Sequence, residues 1–446
     1  MSASSTNGTF AASLVEQGGV SLRQFAILGV CFMLNMLDGF DVAALSFAAP
    51  QIEPELGVSN TQLGVAFSAA LAGMMIGAMF LAPISDLIGR RAIIIIGVTT
   101  IGLSMIATIY APTLLILSII RFITGLGVGA MLASLAAIAT EYLPEKYRSF
   151  GVVAITAGYP FGATVGALIV APLIGDLGWR PIFVAGGVIT VAMALVAALV
   201  IPESLEFLCN RRPRDFLSKV NRILLAIGKP TVTQVPEASG NDNNSSANSS
   251  GNIFANMLRL LTDGRAPRTL IVWSTFFFCF IALYFLMSWI PKLVVASGLS
   301  LELGTQTSAA FNFGGVAGIL CLGILSTRLP LSLLIGSFIC SAAVLMFLFG
   351  YVPDSIAAMM LMTAAVGFLM QGGFTGMYAV ASKIYPPEIR ATGVGWAIGL
   401  GRFGAVVGPI LGGIAIDQQY SMATTFSLFA VPLLVGGVLA LTLKVR

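Results

Sequence analysis

Histidine is absent from this chain of 446 residues, and only 9% of the residues are charged. The lack of histidine removes the commonest general base, the commonest metal ligand and the usual pH-sensitive side chain near neutrality. The five cysteines are an odd number, and four of them lie inside apolar runs, where a small soft side chain packs. We therefore expect no disulfide, no metal site and no cofactor. Because histidine is absent, any proton chemistry must use carboxylates.

Apolar residues make up 57% of the chain, which is too many for an ordinary globular protein in water. The sequence predicts an all-α membrane protein, because twelve apolar stretches are long enough to cross about 30 Å of hydrocarbon. The predicted spans are 25–49, 62–84, 92–110, 113–137, 150–172, 181–201, 269–290, 303–326, 331–351, 356–381, 393–417 and 422–443. Residues 1–24 lack the pattern of a signal peptide and are predicted to be a free amino-terminal tail.

One long polar segment, residues 202–268, separates six spans from six. It contains a basic stretch, predicted to form an amphipathic surface helix, and an Asn/Ser-rich tract at 240–252 that is typical of a flexible linker. Of the 23 Lys and Arg residues, 19 fall on the side of this linker and both termini. The positive-inside rule therefore predicts cytoplasmic termini, including the short tail 444–446 after the second half, 269–443.

The two halves, 25–201 and 269–443, repeat one another. PEKYRSFG at 144–151 and PPEIRATG at 386–393 share Pro, Arg and Gly at an offset of 242 residues, and the same offset relates several glycines within spans. Duplicated six-helix halves around a central cavity are typical of secondary transporters. The pattern predicts two pseudo-symmetric bundles.

The first span carries two carboxylates, Asp38 and Asp41, three residues apart on one helix face. An ionised Asp at the centre of a bilayer costs about 2.5 to 3.5 kcal/mol or more, so two of them ask for a functional reason. Both cannot ionise cheaply in a low-dielectric site, and one is expected to take up and release a proton near neutral pH. The alternative is that one of them only pairs with Arg121.

Two arginines, Arg121 and Arg402, lie within predicted spans. The depth of Arg121 differs from that of Asp38 by only roughly 4 Å, so Arg121 has two candidate partners, a first-span Asp or the carboxylate of a substrate. The six predicted spans of the second half contain no acidic residue before Asp417, which favours an anionic substrate as the partner of Arg402. The alternative for Arg402 is a carbonyl partner or a side chain that reaches the membrane surface.

A substrate with a ring also needs an apolar slot and polar groups that orient it. Candidates for the slot are Phe40, Tyr159, Phe311, Tyr378 and Trp396, although aromatic residues in spans mostly pack or face lipid. The intramembrane amides Asn35, Asn312 and Gln371 are candidates for reading a ring hydroxyl, with hydrogen bonds between helices as the alternative.

Charges in the loops on the side of the termini are predicted to form a gate. Ion pairs between these loops and the facing half would hold one state closed and break in the other, although Arg next to a span also simply sets orientation. The predicted gating residues are Asp86, Arg90, Arg91, Glu141, Arg148 and Arg390.

Several of these motifs resemble those of the major facilitator superfamily. The loop APISDLIGRRA at 82–92 is similar to its signature Gly-x-x-x-Asp-Arg-x-Gly-Arg-Arg, with Ala82 and Leu87 as departures, and the fourth span carries RFITGLGVG at 121–129. DGFD at 38–41 resembles the first-helix motif of the aromatic acid:proton symporter branch. The resemblance covers nearly the whole chain.

This resemblance implies a proton-coupled symporter in a bacterial inner membrane. Its substrate would be benzoate, a hydroxybenzoate, protocatechuate or a related ring-cleavage acid, and Asp38, Asp41 and Asp86 would be needed for transport. We expect a monomer without nucleic-acid partners. An exporter, a sugar or organic acid porter and a sensor without transport remain the alternatives, whereas an enzyme would need a nucleophile with a base or a metal cluster.

Overall fold

The computed structural model describes residues 10, 13–16, 19–233, 260–262, 264–349, 355–385 and 389–443, with the backbone alone for 149, 390 and 391. Within these residues, twelve helices are long and apolar enough to cross a membrane, as many as the sequence predicts. They are α1 Leu22–Leu56, α2 Asn60–Ile88, α3 Arg90–Thr108, α4 Leu114–Glu141, α5 Glu145–Val170, α6 Arg180–Val200, α7 Ala266–Ala296, α8 Leu301–Leu325, α9 Leu331–Leu348, α10 Ile356–Ile384, α11 Arg390–Asp417 and α12 Met422–Thr442.

The ends of the first two helices follow from local sequence. Ser21 starts α1 with a capping box, in which its hydroxyl accepts from the Gln24 amide and the Gln24 side chain accepts from the Ser21 amide. Gly57, with φ of 61°, ends α1, and Ser59 begins α2 with a second capping box. Such caps satisfy the backbone groups that a helix leaves free at its ends.

The helices pair in the same way in both halves. In the first half α1 packs on α5, α2 on α4 and α3 on α6; in the second half α7 packs on α11, α8 on α10 and α9 on α12. The contacts between the halves repeat this symmetry, since α2 packs on α11 and α5 packs on α8. The chain therefore forms two related six-helix bundles.

The bundles are tied together near the face opposite the termini. Asp417, at the end of α11, accepts from the backbone amides of Asn60 and Thr61 at 2.9 and 2.8 Å, at the start of α2. Lys292 of α7 forms an ion pair with Glu53 of α1. Among the described residues, the ion pair and the well-aligned hydrogen bonds that join the halves lie in the part of the helices toward this face, so the molecule is closed there.

Deeper contacts complete the closed face. The Ser46 hydroxyl donates to the Ser288 carbonyl at 2.8 Å, and the Ser68 hydroxyl donates to the Val406 carbonyl at 2.5 Å. Ser46 and Ser288 are 242 residues apart, which is the offset of the internal repeat. This contact therefore joins equivalent positions of α1 and α7.

The loop charges on the side of the termini interact within the first half and its linker. Arg90 forms ion pairs with Glu141 and Glu206, and the Arg211 guanidinium donates to the Asp86 carbonyl at 3.0 Å. Since these partners lie in α4 and the linker, the predicted ion pairs to the facing half are not formed in the described part of this structure.

The remaining predicted gating residues follow the same pattern. The Arg91 amide donates to the Glu203 carboxylate at 3.2 Å, and Arg148 pairs with Glu16 of the amino-terminal segment at 3.3 Å. The side chain of Arg390 lies outside the described residues.

The linker begins with two short helices, Leu205–Arg211 and Phe216–Ala226. The second is the predicted amphipathic helix, and its apolar residues Val220 and Leu224 are buried in the protein. The Asn/Ser-rich tract at 240–252 lies outside the described residues.

Candidate functional site

Arg121 is held in the first half by three partners. Its side chain is 1% exposed, one terminal nitrogen donates to Asp41 Oδ1 at 2.9 Å, and the other donates to the Thr108 hydroxyl at 2.7 Å. The guanidinium carbon also lies 5.3 Å from the centre of the Phe183 ring. Because a buried guanidinium stays charged, it needs such compensation. Of its two candidate partners, a first-helix Asp or the substrate, the structure forms the pair with Asp41.

Asp38 lies one helical turn from Asp41 and has a different environment. Asp38 is 1% exposed, yet neither oxygen of its carboxylate has a hydrogen-bond partner among the described residues. The charges of Asp41 and of Arg402, in the opposite half, act on it. A buried carboxylate without hydrogen bonds is costly to keep ionised, so this group is suited to hold a proton.

Gly39 sets the position of Asp38 relative to α5. A Cβ atom at this position would overlap the backbone carbonyl of Tyr159, so only glycine lets α1 and α5 approach so closely. The close approach carries Asp38 and Tyr159 to the same region of the interior.

Arg402 projects from α11 toward the first half. Its Nε atom is buried without a hydrogen-bond partner, and no carboxylate in the described part of the chain forms an ion pair with it. It is close enough to act electrostatically on Asp38, Tyr159, Tyr284 and Tyr378. A fixed positive charge without a carboxylate bonded to it among the described residues is suited to bind an anion.

Two tyrosines meet across the halves beside these charges. The hydroxyls of Tyr159 in α5 and Tyr284 in α7 interact with each other. Both hydroxyls also lie close enough to Asp38 and Arg402 to interact with them electrostatically. The Tyr159 hydroxyl nevertheless has no well-aligned partner among the described residues. Asp38, Tyr159, Tyr284 and Arg402, which we call the central cluster, thus offer unused donors and acceptors to a ligand.

A small cavity adjoins the central cluster on the side of the closed face. It is lined by the ion pair of Asp41 and Arg121, by Tyr284 and Ser288 of α7, and by Phe67 of α2 together with neighbouring apolar residues. Tyr284 therefore belongs to the central cluster and also lines the cavity.

Sequence reasoning missed Tyr284 and Ser288, although the internal repeat carried a signal for them. The offset of 242 residues maps Asp38 to Phe280, Val42 to Tyr284 and Ser46 to Ser288. The segment of α7 opposite the acidic segment of α1 could therefore have been read from the repeat.

Two predicted site residues of α1 bind neighbouring helices. The Asn35 side chain donates to the Ile155 carbonyl of α5 at 2.6 Å. The Phe40 ring packs against Gly166 of α5 and Gly186 of α6. The structure thus places both in contacts within the first half.

The predicted amides of the second half join α8 to α10. Gln371 donates to Asn312 at 3.4 Å, and Asn312 donates to the Ser308 carbonyl at 2.9 Å. Phe311 is fully buried, with its backbone against Gly367. Trp396 lies beside Trp273, with a ring separation of 6.5 Å, and six residues before Arg402 on α11, on the side of the termini. None of the four predicted residues Asn312, Gln371, Phe311 and Trp396 has a described contact with the central cluster. The fifth, Tyr378, is close enough to Arg402 to interact electrostatically with it.

Comparison with known proteins accounts for this architecture. The family model described as Major Facilitator Superfamily matches residues 31–353 and 272–446. The chain belongs to the major facilitator superfamily. Its membership confirms the predicted fold of twelve membrane-spanning helices in a multi-pass membrane protein.

Relatives within the superfamily include several named for aromatic acids. The chain is 31% identical to the 4-hydroxybenzoate transporter PcaK of Acinetobacter baylyi, covering 95% of this chain and 91% of the relative. It is 29% identical to the gallate transporter of Pseudomonas putida, covering 94% and 91% respectively. The inward open xylose transporter XylE from E. coli has the same fold, with a TM-score of 0.73 and 16% identity over 94% of this chain and 96% of that one.

Proposed function

We propose that this protein is a proton-coupled symporter that imports an aromatic carboxylate across a bacterial inner membrane. The observation that carries the proposal is the central cluster: among the described residues, no carboxylate forms an ion pair with Arg402 and neither carboxylate oxygen of Asp38 has a hydrogen-bond partner. The similarity to transporters named for 4-hydroxybenzoate, gallate and benzoate supports an aromatic carboxylate as the substrate.

Arg402 binds the carboxylate of the substrate in this scheme. Guanidinium and carboxylate match in geometry and form two parallel hydrogen bonds, which are stronger than neutral ones. The tyrosine hydroxyls nearby donate to the same anion or bind a substituent of the ring. Since Arg121 is already neutralised by Asp41, Arg402 is the cation that needs the substrate.

Binding of the proton is coupled to binding of the substrate through Arg402, whose positive charge interacts both with Asp38 and with the substrate carboxylate. In the empty site, the charge of Arg402 stabilises ionised Asp38. Once the substrate carboxylate neutralises Arg402, Asp38 loses that support, and a proton taken from water on the outer side neutralises it. The two bindings favour one another reciprocally, as thermodynamic linkage requires.

Release follows the same linkage in reverse. With the predicted orientation, the closed face is the outer one, and in this scheme the site opens to the cytoplasm. Departure of the substrate uncovers Arg402, which favours loss of the Asp38 proton to cytoplasmic water. The empty halves then rock back, as expected for alternating access.

The test is uptake of labelled 4-hydroxybenzoate into proteoliposomes under an imposed pH gradient. We expect accumulation that an uncoupler abolishes in the natural protein. Asp38→Asn, which resembles the protonated carboxyl group, should lose accumulation but keep exchange of internal for external substrate.

Asp176→Asn, a change at an exposed carboxylate outside the central cluster, is the control and should behave like the natural protein. Gradient-driven accumulation by Asp38→Asn would contradict the proton assignment. More accumulation upon uncoupling would indicate an exporter, and binding without accumulation would indicate a sensor.

A further inference from the structure

Five aromatic rings from α7 and α10 form a continuous cluster in the second half. Phe280 contacts Phe374 edge-on at 4.7 Å between ring centres and stacks with Tyr284 at 5.8 Å. Tyr378 meets Phe276 at 5.4 Å and Phe374 at 5.6 Å, both edge to face. Four of the rings each contact at least two others of the cluster, and the fifth, Tyr284, contacts Phe280.

This cluster lies directly against the segment of α11 that carries Arg402. A Cβ atom on Gly401 would clash with Phe276 and Phe280, so the absence of a side chain lets α11 approach the rings closely. The two tyrosines of the cluster, Tyr284 and Tyr378, both lie close enough to Arg402 to interact electrostatically with its charge. Phe276 and Phe280 are buried, whereas Tyr378 keeps part of its surface open.

We propose that Tyr284 and Tyr378, backed by the three phenylalanines, form the wall against which the ring of the substrate packs while Arg402 holds its carboxylate. This inference rests on the proposed function and deepens it by assigning the ring-binding subsite. The second half then recognises the whole substrate, and the first half supplies Asp38, the site of the proton. Neither tyrosine is a proton carrier in this scheme; both are positioning residues for the ring.

The physical basis is the preference of aromatic rings for offset-stacked or edge-to-face neighbours. Such pairs are stronger than their buried area alone predicts, and a saturated ring of similar size has no equivalent interaction. A prearranged wall also binds without the loss of side-chain freedom that mobile protein side chains would suffer when the substrate orders them. The wall should therefore discriminate between an aromatic ring and its saturated counterpart.

The test compares the affinities of 4-hydroxybenzoate and trans-4-hydroxycyclohexanecarboxylate, which carry the same two substituents, for the purified protein. We expect Tyr378→Leu and Tyr284→Leu to weaken binding of the aromatic acid about three- to tenfold more than that of the saturated acid. Tyr378→Phe and Tyr284→Phe keep the ring and should preserve the ratio of the two affinities.

Two further variants separate this inference from the proposed function. Phe429→Leu removes a ring from a stacked pair with Phe285, outside the wall, and should leave the ratio unchanged. Arg402→Ala should weaken both acids equally, because both carry the carboxylate. If the natural protein binds neither acid, or Arg402→Ala has no effect, the proposed function fails. If both acids bind through Arg402 but neither Leu variant changes the ratio, the wall is wrong and the proposed function stands.

Discussion

At the scale of single residues, two carboxylates one turn apart have separate environments. Asp41 is paired with Arg121 inside the first half, whereas Asp38 belongs to the central cluster and has no hydrogen-bond partner in the part of the chain that the structure describes. The ion pair neutralises a buried arginine. In the proposed scheme Asp38, and not Asp41, changes its charge as substrate binds and leaves.

The pair of Asp41 and Arg121 gives a prediction about stability. Asp41→Asn leaves the guanidinium buried without its counter-charge, and we expect a loss of about 3 to 5 kcal/mol in the free energy of unfolding. Removing both charges, as in Asp41→Asn with Arg121→Met, should cost less than Asp41→Asn alone.

Thermal unfolding of the purified variants in detergent measures this difference, and Arg121→Met alone completes the double-mutant cycle. A double variant at least as unstable as the sum of the single variants would show that the two charges are not coupled.

At the scale of helices, close packing at glycine positions places the functional side chains. Gly39 lets α1 touch the backbone of α5 at Tyr159, and Gly401 lets α11 touch the ring cluster of α7. In each case the glycine adjoins a charged residue of the central cluster, Asp38 or Arg402. The depth and direction of these charges therefore depend on helix separation.

Gly39→Ala tests this dependence. The added methyl group would meet the Tyr159 carbonyl, so α1 and α5 must separate, at a cost of about 1 to 3 kcal/mol for overpacking. We expect a lower unfolding temperature and weaker binding of 4-hydroxybenzoate.

Gly29→Ala is a matched control on the same helix, because no atom lies within 4 Å of a Cβ at that position. It should be tolerated. Equal effects of the two substitutions would show that the contact with α5 does not explain the role of Gly39.

At the scale of the whole molecule, a few polar contacts hold the halves together at the face opposite the termini. Lys292 pairs with Glu53 across the halves, while nearby Glu55 pairs with Arg180 inside the first half. Opening of this face must break the first pair and leave the second intact. The two pairs thus report on different motions.

Reversing one charge of the cross-half pair should shift the molecule toward the state that is open at this face. We expect Glu53→Lys to lengthen the distance between spin labels at Val58 and Tyr420, measured by double electron-electron resonance. Adding Lys292→Glu to form the reversed pair should restore the shorter distance.

Glu55→Lys, which disrupts the pair within one half, should leave that distance unchanged. A distance that does not respond to Glu53→Lys would show that the pair does not hold the face closed.

The sequence alone determined the twelve spans, the duplication into two halves and the kinds of charged group inside the membrane. These follow from composition and periodicity, because a helix buried in lipid satisfies its own backbone and needs about twenty apolar residues regardless of its neighbours. The partners of the buried charges were decided only by tertiary structure. Spacing along α1 could not tell Asp38 from Asp41, since their difference arises from which helices pack beside each. The ring cluster next to Arg402 likewise depends on how closely α7, α10 and α11 approach, which hydropathy does not encode.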